Sequence, residues 1–465
     1  MRQLSGMDAS FVYLEAPRAP MHIGSVAIYD PSTAPGGKVT FKGILDHITG
    51  RMPLVPSYRE KLARVPFDMD HPYWVDDPDF DLEFHVRHIA LPKPGDWRQL
   101  CIQTARLHAR ALDLDRPLWE FYVIEGLDNV EGVPPGSFAL VSKVHHAAID
   151  GVSGAEMTAA IHDLTPETTD PGVPDTFAPG RTPSAMELLS RAGVNNAVQP
   201  LRFARLARRT GRQLLRNVGA MRGSVASAPR TRFSGVITPH RVVEGRSFDL
   251  TEMKRIKSAV PGATINDAVV AVVTGALRAY LESKGELPDV PMQAMAPISV
   301  RTEGESGTMG NQVSAMTVEL PTTSIDPLDR LKTVHANTTR SKEMTNAIGA
   351  RTLSDYSQFV PWALAGLATR TASRFSLANR TSMPINTVIT NVPGPQMPLY
   401  MAGAEMVSLF GMGPVTDGMG IIHPVFSYNG KISISVTSCR EMMPDPAFYA
   451  ECLQASFDEL SEATS

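Results

Sequence analysis

The residues with the clearest chemical potential stand at 142–151, Ser-Lys-Val-His-His-Ala-Ala-Ile-Asp-Gly. The apolar, β-branched run at 138–144 predicts a strand, and Gly151 permits the positive φ that a sharp turn often needs. Side chains alternate between the faces of a strand, so His145 and His146 cannot both enter one cavity. One can act on a substrate while the other packs behind it. An imidazole titrates at about 6.5, so a neutral ring can take a proton from a hydroxyl at physiological pH. Asp150, four residues beyond His146 and across the turn, suits organising the loop through an ion pair better than touching a substrate.

Other chemistries fit less well. A metal site wants its ligands on one side with further partners at ligand spacing, which an adjacent pair on opposite strand faces does not supply, so no metal is expected. No Gly-x-Ser-x-Gly elbow occurs, and Cys101, Cys439 and Cys452 stand in no catalytic-looking context. Direct attack by a hydroxyl on an activated acyl donor such as a thioester, without an acyl-enzyme, is the simpler chemistry. No Gly-rich loop marks a phosphate site, so no cofactor-binding residue is assigned.

The elements that must carry this segment follow from length and periodicity. A chain of 465 residues, 43% apolar and 20% charged, predicts a soluble globular protein of two or three domains. No stretch reaches the roughly 18 apolar residues of a membrane span, and Asp8 and Glu15 interrupt any secretory signal. Three cysteines without a CxxC pair indicate a reducing, cytoplasmic setting and no structural zinc. Pro, Thr, Asp and Gly crowd 165–180, and a second break runs from 224 to 245. The expected organisation is therefore a block at 1–165, a linker at 166–244 and a block at 245–465. Both blocks mix strands and helices. Strands are expected at 25–29, 138–144, 292–300, 312–320, 387–391 and 432–438, and helices at 97–112 and 265–283. Thr264 or Asn266 can cap the last helix. Strand 432–438 alternates clearly, with Ile432, Ile434 and Val436 opposite Ser433, Ser435 and Thr437.

Charge is distributed unevenly. Residues 181–232 hold eleven Arg, no Lys and one acid, Glu187, so that of the net −4 this stretch carries +10 and the rest −14. At 100° per residue, Arg202, Arg205, Arg209, Arg212 and Arg216 share an arc, with Phe203, Leu206, Ala207, Leu214 and Val218 roughly opposite. Such a helix can dock on anionic lipid, or pack its apolar stripe on the core with its Arg in solvent. Neither reading points to nucleic acid.

The segment His145-His146-Ala-Ala-Ile-Asp150-Gly151 matches the His-His-x-x-x-Asp-Gly signature of the coenzyme A-dependent acyltransferase superfamily. More narrowly, the chain resembles the bacterial wax ester synthase/diacylglycerol acyltransferase family, including its mycobacterial triacylglycerol synthases. The resemblance rests on Met7-Asp8-Ala9-Ser10-Phe11, Pro20-Met21-His22-Ile23-Gly24, Pro117-Leu118-Trp119, Thr264-Ile265-Asn266-Asp267-Ala268-Val269-Val270, Pro297-Ile298-Ser299-Val300-Arg301, Gly310-Asn311 and Asn391-Val392-Pro393-Gly394-Pro395. It implies an α/β fold of two chloramphenicol-acetyltransferase-like domains with a tunnel between them, and His146 as the base. Asn266 and Asp267 would face that tunnel, Arg301 would pair with Asp150, and Trp119 would line the acyl channel or fill the core. Plain helix capping is the alternative for Asn266, and surface solvation for Arg301. Acyl-CoA would be a co-substrate, no cofactor would be permanently bound, and the acceptor would be diacylglycerol or a fatty alcohol. A peripheral place on the inner membrane or lipid droplets would suit such substrates. The alternatives are a superfamily member acting on a sugar, polyketide or amine, and a non-catalytic lipid-droplet-binding protein.

Overall fold

The computed structural model describes residues 1–149, 158–169, 171–222, 228–299, 313–348, 366–368, 371, 377–379 and 383–465. Its strands are β1 (Arg2–Gln3), β2 (His22–Asp30), β3 (Glu60–Ala63), β4 (Tyr73–Asp76), β5 (Val86–Ala90), β6 (Trp119–Glu125), β7 (Phe138–His145), β8 (Arg241–Asp249), β9 (Met292–Ser299), β10 (Val313–Leu320), β11 (Thr387–Pro393), β12 (Tyr400–Met401), β13 (Ala404–Met412), β14 (Ile421–Tyr428) and β15 (Lys431–Cys439). Two six-stranded mixed sheets, ordered β12-β13-β2-β7-β6-β5 and β10-β9-β11-β14-β15-β8, form the body, with a three-stranded sheet β1-β4-β3 beside them.

Each large sheet packs apolar side chains into a core. In β7, Phe138 and Leu140 join one core, with Trp119, Phe121, Ile44 and Ile48, while Ala139 and Val141 join another, with Leu100, Tyr122 and Phe410. The second sheet packs its inward residues, among them Ile432, Ile434 and Val436, on helices Leu250–Ser258, Ile265–Ser283 and Pro446–Ala463. Helix Ile265–Ser283 has the expected bounds. Its N-cap is Thr264, whose hydroxyl accepts from Asp267 N while the Asp267 carboxylate accepts from Thr264 N, a reciprocal capping box. Strands expected at 25–29, 138–144, 387–391 and 432–438 appear slightly longer, and helix Trp97–His108 stops short of 112.

The second block is not self-contained. Strands β12 and β13 leave it to complete the first sheet, β13 lying antiparallel to β2. Without β13, β2 would present an open row of main-chain donors and acceptors. The crossing also buries the polar face of β15, because Ser435 Oγ and Thr437 Oγ1 accept hydrogen bonds from Gly411 N at 3.1 Å and Gly413 N at 3.4 Å. The expected boundary at 244/245 falls inside β8. The linker contains a helix, Ala185–Arg222, longer than the arginine pattern alone indicated. Leu188 and Ala192 seat its first turns on Val65 and Tyr73, and Asn195 Nδ2 donates to Asp70 Oδ2 at 2.7 Å.

Candidate active site

The histidine segment is held from three directions. In β7, His145 N donates to Leu118 O at 2.9 Å, and His146 N donates to Met21 O at 2.8 Å. A single 3-10 turn, His146–Ala148, follows. From the third side comes α1 (Gly6–Leu14), capped by Ser5, whose Oγ accepts from Asp8 N at 3.2 Å. Ala9, Val12 and Tyr13 of α1 pack with Leu118, Trp74 and Ala147, whereas Phe11 and Leu14 face the core of the second sheet. Helix α1 is thus wedged between the two halves at the histidines.

The two imidazoles have different surroundings. His145 is fully buried, and its Nδ1 accepts from Ala147 N at 3.1 Å. Its Nε2 therefore carries the hydrogen, which it donates to Glu15 Oε2 at 2.7 Å. His146 is half-buried and lies flat on Phe11, with ring centroids 3.9 Å apart and planes inclined by 11°. Its Nδ1 is enclosed without a hydrogen-bond partner among the described residues. Burial is the largest cause that lowers the His146 pKa from 6.5 to about 4; its own main-chain carbonyl opposes the shift and His145 adds to it. The ring is accordingly neutral at pH 7. A neutral, partly accessible imidazole on a rigid turn can take a proton from a substrate, whereas both nitrogens of His145 are engaged by Glu15 and Ala147.

Around this pair lies a set of buried polar groups that fix the strands. His22, opposite His145 in the β2–β7 register, donates through Nε2 to His108 O at 2.8 Å, and His108 Nε2 donates to Gly413 O at 3.0 Å. Two residues before His145, Lys143 is fully buried and donates to Glu120 Oε2 at 3.1 Å and Arg110 O at 2.8 Å. Gly24 has no room for a side chain, since a Cβ there would lie 2.4 Å from Ser142 O. That close approach accounts for the glycine in the Pro20–Gly24 segment.

Comparison with known proteins decides the family. Residues 4–269 match the model of the wax ester synthase/diacylglycerol acyltransferase catalytic domain, and residues 309–461 match the C-terminal domain of the same proteins. The chain belongs to the wax ester synthase/diacylglycerol acyltransferase family. A "putative diacylglycerol O-acyltransferase" of Mycobacterium tuberculosis is 34% identical over 100% of this chain and 91% of that protein. A "probable diacylglycerol O-acyltransferase" of the same organism is 30% identical over 98% of each. Among solved structures, the wax ester synthase/diacylglycerol acyltransferase of Marinobacter aquaeolei VT8 matches with a TM-score of 0.70 at 25% identity, covering 100% of both chains. A trichothecene 15-O-acetyltransferase of Fusarium sporotrichioides, at 12% identity with a TM-score of 0.58 over 100% of this chain and 95% of its own, shares the fold.

The structure of this family member sorts the residues singled out by sequence. His145 and His146 come together with α1 as described. Asp150, Gly151 and Arg301 lie outside the described residues, so the expected Asp150–Arg301 pair does too. Asn266 is half-buried in the first turn of helix Ile265–Ser283. Asp267 does not face a passage. It is fully buried, accepting from Thr338 Oγ1 at 2.6 Å and from His335 Nδ1 at 3.0 Å, and ties its own helix to helix Pro327–Ile348. Its carboxyl pKa is lowered although burial, the largest single influence, raises it; the hydrogen bonds from Thr338, Thr264 and His335 together outweigh burial. Trp119 fills the core rather than lining a channel. It is 1% exposed, its Nε1 donates to Tyr58 O at 2.9 Å, and Tyr58, His85 and Phe121 surround the ring.

Sequence reasoning missed Glu15, the carboxylate that holds His145, noting it only as a break in an apolar run. A signal existed: Phe11 and Glu15 are four residues apart at the end of an apolar helix, hence on one face. Nothing local, however, indicates what that face meets.

Proposed function

We propose that this chain transfers a long fatty acyl group from acyl-CoA to the hydroxyl of diacylglycerol or a fatty alcohol, with His146 as general base. The single observation carrying this reading is the state of His146, a neutral imidazole held flat on Phe11 at the end of β7. We assign His146 the tautomer with hydrogen on Nδ1, which leaves Nε2 to accept. Nε2 takes the acceptor's hydroxyl proton as that oxygen attacks the thioester carbonyl. The tetrahedral intermediate collapses with cleavage of the C–S bond, and the proton passes to the departing thiolate. The half-buried Asn266 is the donor we assign to the thioester oxygen; loss of such a donor typically costs about 10²–10³ in rate. No permanently bound cofactor is required.

The names of the mycobacterial and Marinobacter relatives support this substrate class over sugar, polyketide or amine acceptors. Purified protein given labelled palmitoyl-CoA with diacylglycerol, hexadecanol and polar acceptors should yield triacylglycerol or wax ester. His146→Ala should abolish product while preserving the circular dichroism spectrum. Near-normal turnover by that variant removes His146 as the base.

The substrates partition into membranes, and we infer that the chain meets them at an anionic lipid surface on the cytoplasmic side. No helix among the described residues is long and apolar enough to cross a membrane. Helix Ala185–Arg222 offers Leu201 (61% exposed) and Phe203 (45%) beside exposed Arg205 and Arg208. Arg202, Arg209, Arg212 and Arg216 belong to the same segment, their side chains outside the described residues. Phe67 adds an aromatic tip, 91% exposed in a turn where its φ is +61°. Such a combination of apolar and cationic side chains suits interfacial docking. Co-sedimentation with phosphatidylglycerol vesicles should fall for Leu201→Ser/Phe203→Ser, and undiminished binding would exclude this helix.

A further inference from the structure

Helix α1 does more than fill space. Phe11 and Glu15 lie one helical turn apart, and Glu15 N donates to Phe11 O at 3.2 Å in the last main-chain bond of the helix. Phe11 meets His146 and Glu15 meets His145, so one edge of one helix touches both adjacent imidazoles. We propose that Glu15 and Phe11 are positioning residues for the base: Glu15 by selecting the tautomer of His145 that pins the turn, Phe11 by fixing the plane of His146. This rests on His146 being the base.

The argument for Glu15 is one of hydrogen counting. A main-chain N–H can only donate, so the bond from Ala147 N requires an unprotonated Nδ1 on His145. That tautomer needs an acceptor at Nε2, and the Glu15 carboxylate supplies it, with only a tenth of its side chain exposed. Without that acceptor the buried Nε2–H would be orphaned, which favours moving the hydrogen to Nδ1. Two hydrogens would then face each other between His145 Nδ1 and Ala147 N. The turn would have to open, and Ala147 directly follows His146. Among the described residues, Phe11 is the aromatic ring that His146 stacks on, and the enclosed Nδ1 has no hydrogen-bond partner there that would fix the ring instead. A flat aromatic neighbour holds the plane of the ring, whereas an aliphatic one would let it tilt.

The tests separate positioning from bulk stability. Glu15→Gln keeps an acceptor oxygen for Nε2–H and should hold kcat within about threefold, whereas Glu15→Ala should lower kcat on the order of a hundredfold with KM for palmitoyl-CoA unchanged. Phe11→Leu should lower kcat about tenfold and Phe11→Tyr should restore it. Thermal unfolding of each variant is measured alongside. Equal kcat for Glu15→Ala and wild type, or equal losses for Glu15→Gln and Glu15→Ala, would overturn the role of Glu15. Equal kcat for Phe11→Leu and Phe11→Tyr would overturn that of Phe11. An independent reading needs no variant to be active. Long-range ¹⁵N–¹H correlation on histidine-labelled wild-type protein, with His145 assigned by its disappearance in His145→Asn, should show hydrogen on Nε2; hydrogen on Nδ1 overturns the proposal. That result stands whether or not His146→Ala abolishes turnover, so failure of the base and failure of its positioning remain distinguishable.

Discussion

Acidification is the perturbation whose outcome follows most directly from the surroundings of His146. Burial places its pKa at about 4 instead of 6.5. At pH 5.5 a base of pKa 4 is still about 97% neutral, whereas an unperturbed histidine would be only about 9% neutral, from the ordinary titration relation. Between pH 7.5 and 5.5, kcat/KM should therefore fall by only a few per cent rather than about tenfold, because that ratio reports ionisation of the free enzyme. The structure imposes one condition on the assay. His22, His108, His162 and His423 are also buried with lowered pKa, burial being the largest cause in each. A folded pKa below the unfolded value means that the unfolded chain binds more protons once pH drops below 6.5. Stability from these groups is fully present above that pH and is lost progressively as pH falls toward their folded values, about 4 for His162 and about 3 for His108 and His423. Initial rates should thus be read within seconds, by a thiol reagent active in acid such as dithiodipyridine, with circular dichroism confirming the fold at each pH. A palmitoyl-pantetheine donor run in parallel removes titration of the coenzyme's phosphates. Half-maximal kcat/KM near pH 6.5 in protein that remains folded would refute the reasoning, since the base would then sit in water-like surroundings.

Three further outcomes concern the frame. Trp119→Ala should cost about 3–5 kcal/mol, the usual range for emptying a large aromatic site, read by urea denaturation; a loss under 1 kcal/mol would mean the ring is not core. Gly24→Ala should destabilise by about 1–3 kcal/mol, because the new Cβ presses on main-chain Ser142 O and cannot be relieved by a side-chain rotation; an unchanged melting temperature would contradict the close approach. Lys143→Ala leaves Glu120 buried without its ammonium partner and should cost about 3–5 kcal/mol, whereas Lys143→Met with Glu120→Gln should recover most of it; equal losses in both would show that packing, not charge, matters there.

What could be read along the chain was whatever depends on near neighbours. Helix Ile265–Ser283 was legible to the residue because Thr264 and Asp267 form a local cap and an apolar run follows. Strand β7 and its sharp ending at the histidines were legible from a β-branched run. The alternation of β15 was legible as well, yet its consequence was not. Ser433, Ser435 and Thr437 have the pattern of a wetted face, yet all three are buried, and β13, crossing from the second block, covers Ser435 and Thr437. Asp267 illustrates the same limit from the other side. Its spacing from Thr264 announces a cap, but His335 and Thr338, which turn that cap into a tie between helices, are some seventy residues away.

The sequence by itself determined the acyl-transfer signature, the elements that bear it and the bulk of Trp119 that anchors one core. Only the tertiary structure decided that Glu15 meets His145 and that Phe11 lies on His146. It also decided that β13 completes the first sheet. The physical reason is range. Propensity, capping and side-chain periodicity act over a few residues, whereas the hydrogen bond that selects a tautomer, and the burial that lowers a pKa, depend on which distant surfaces the fold presses together.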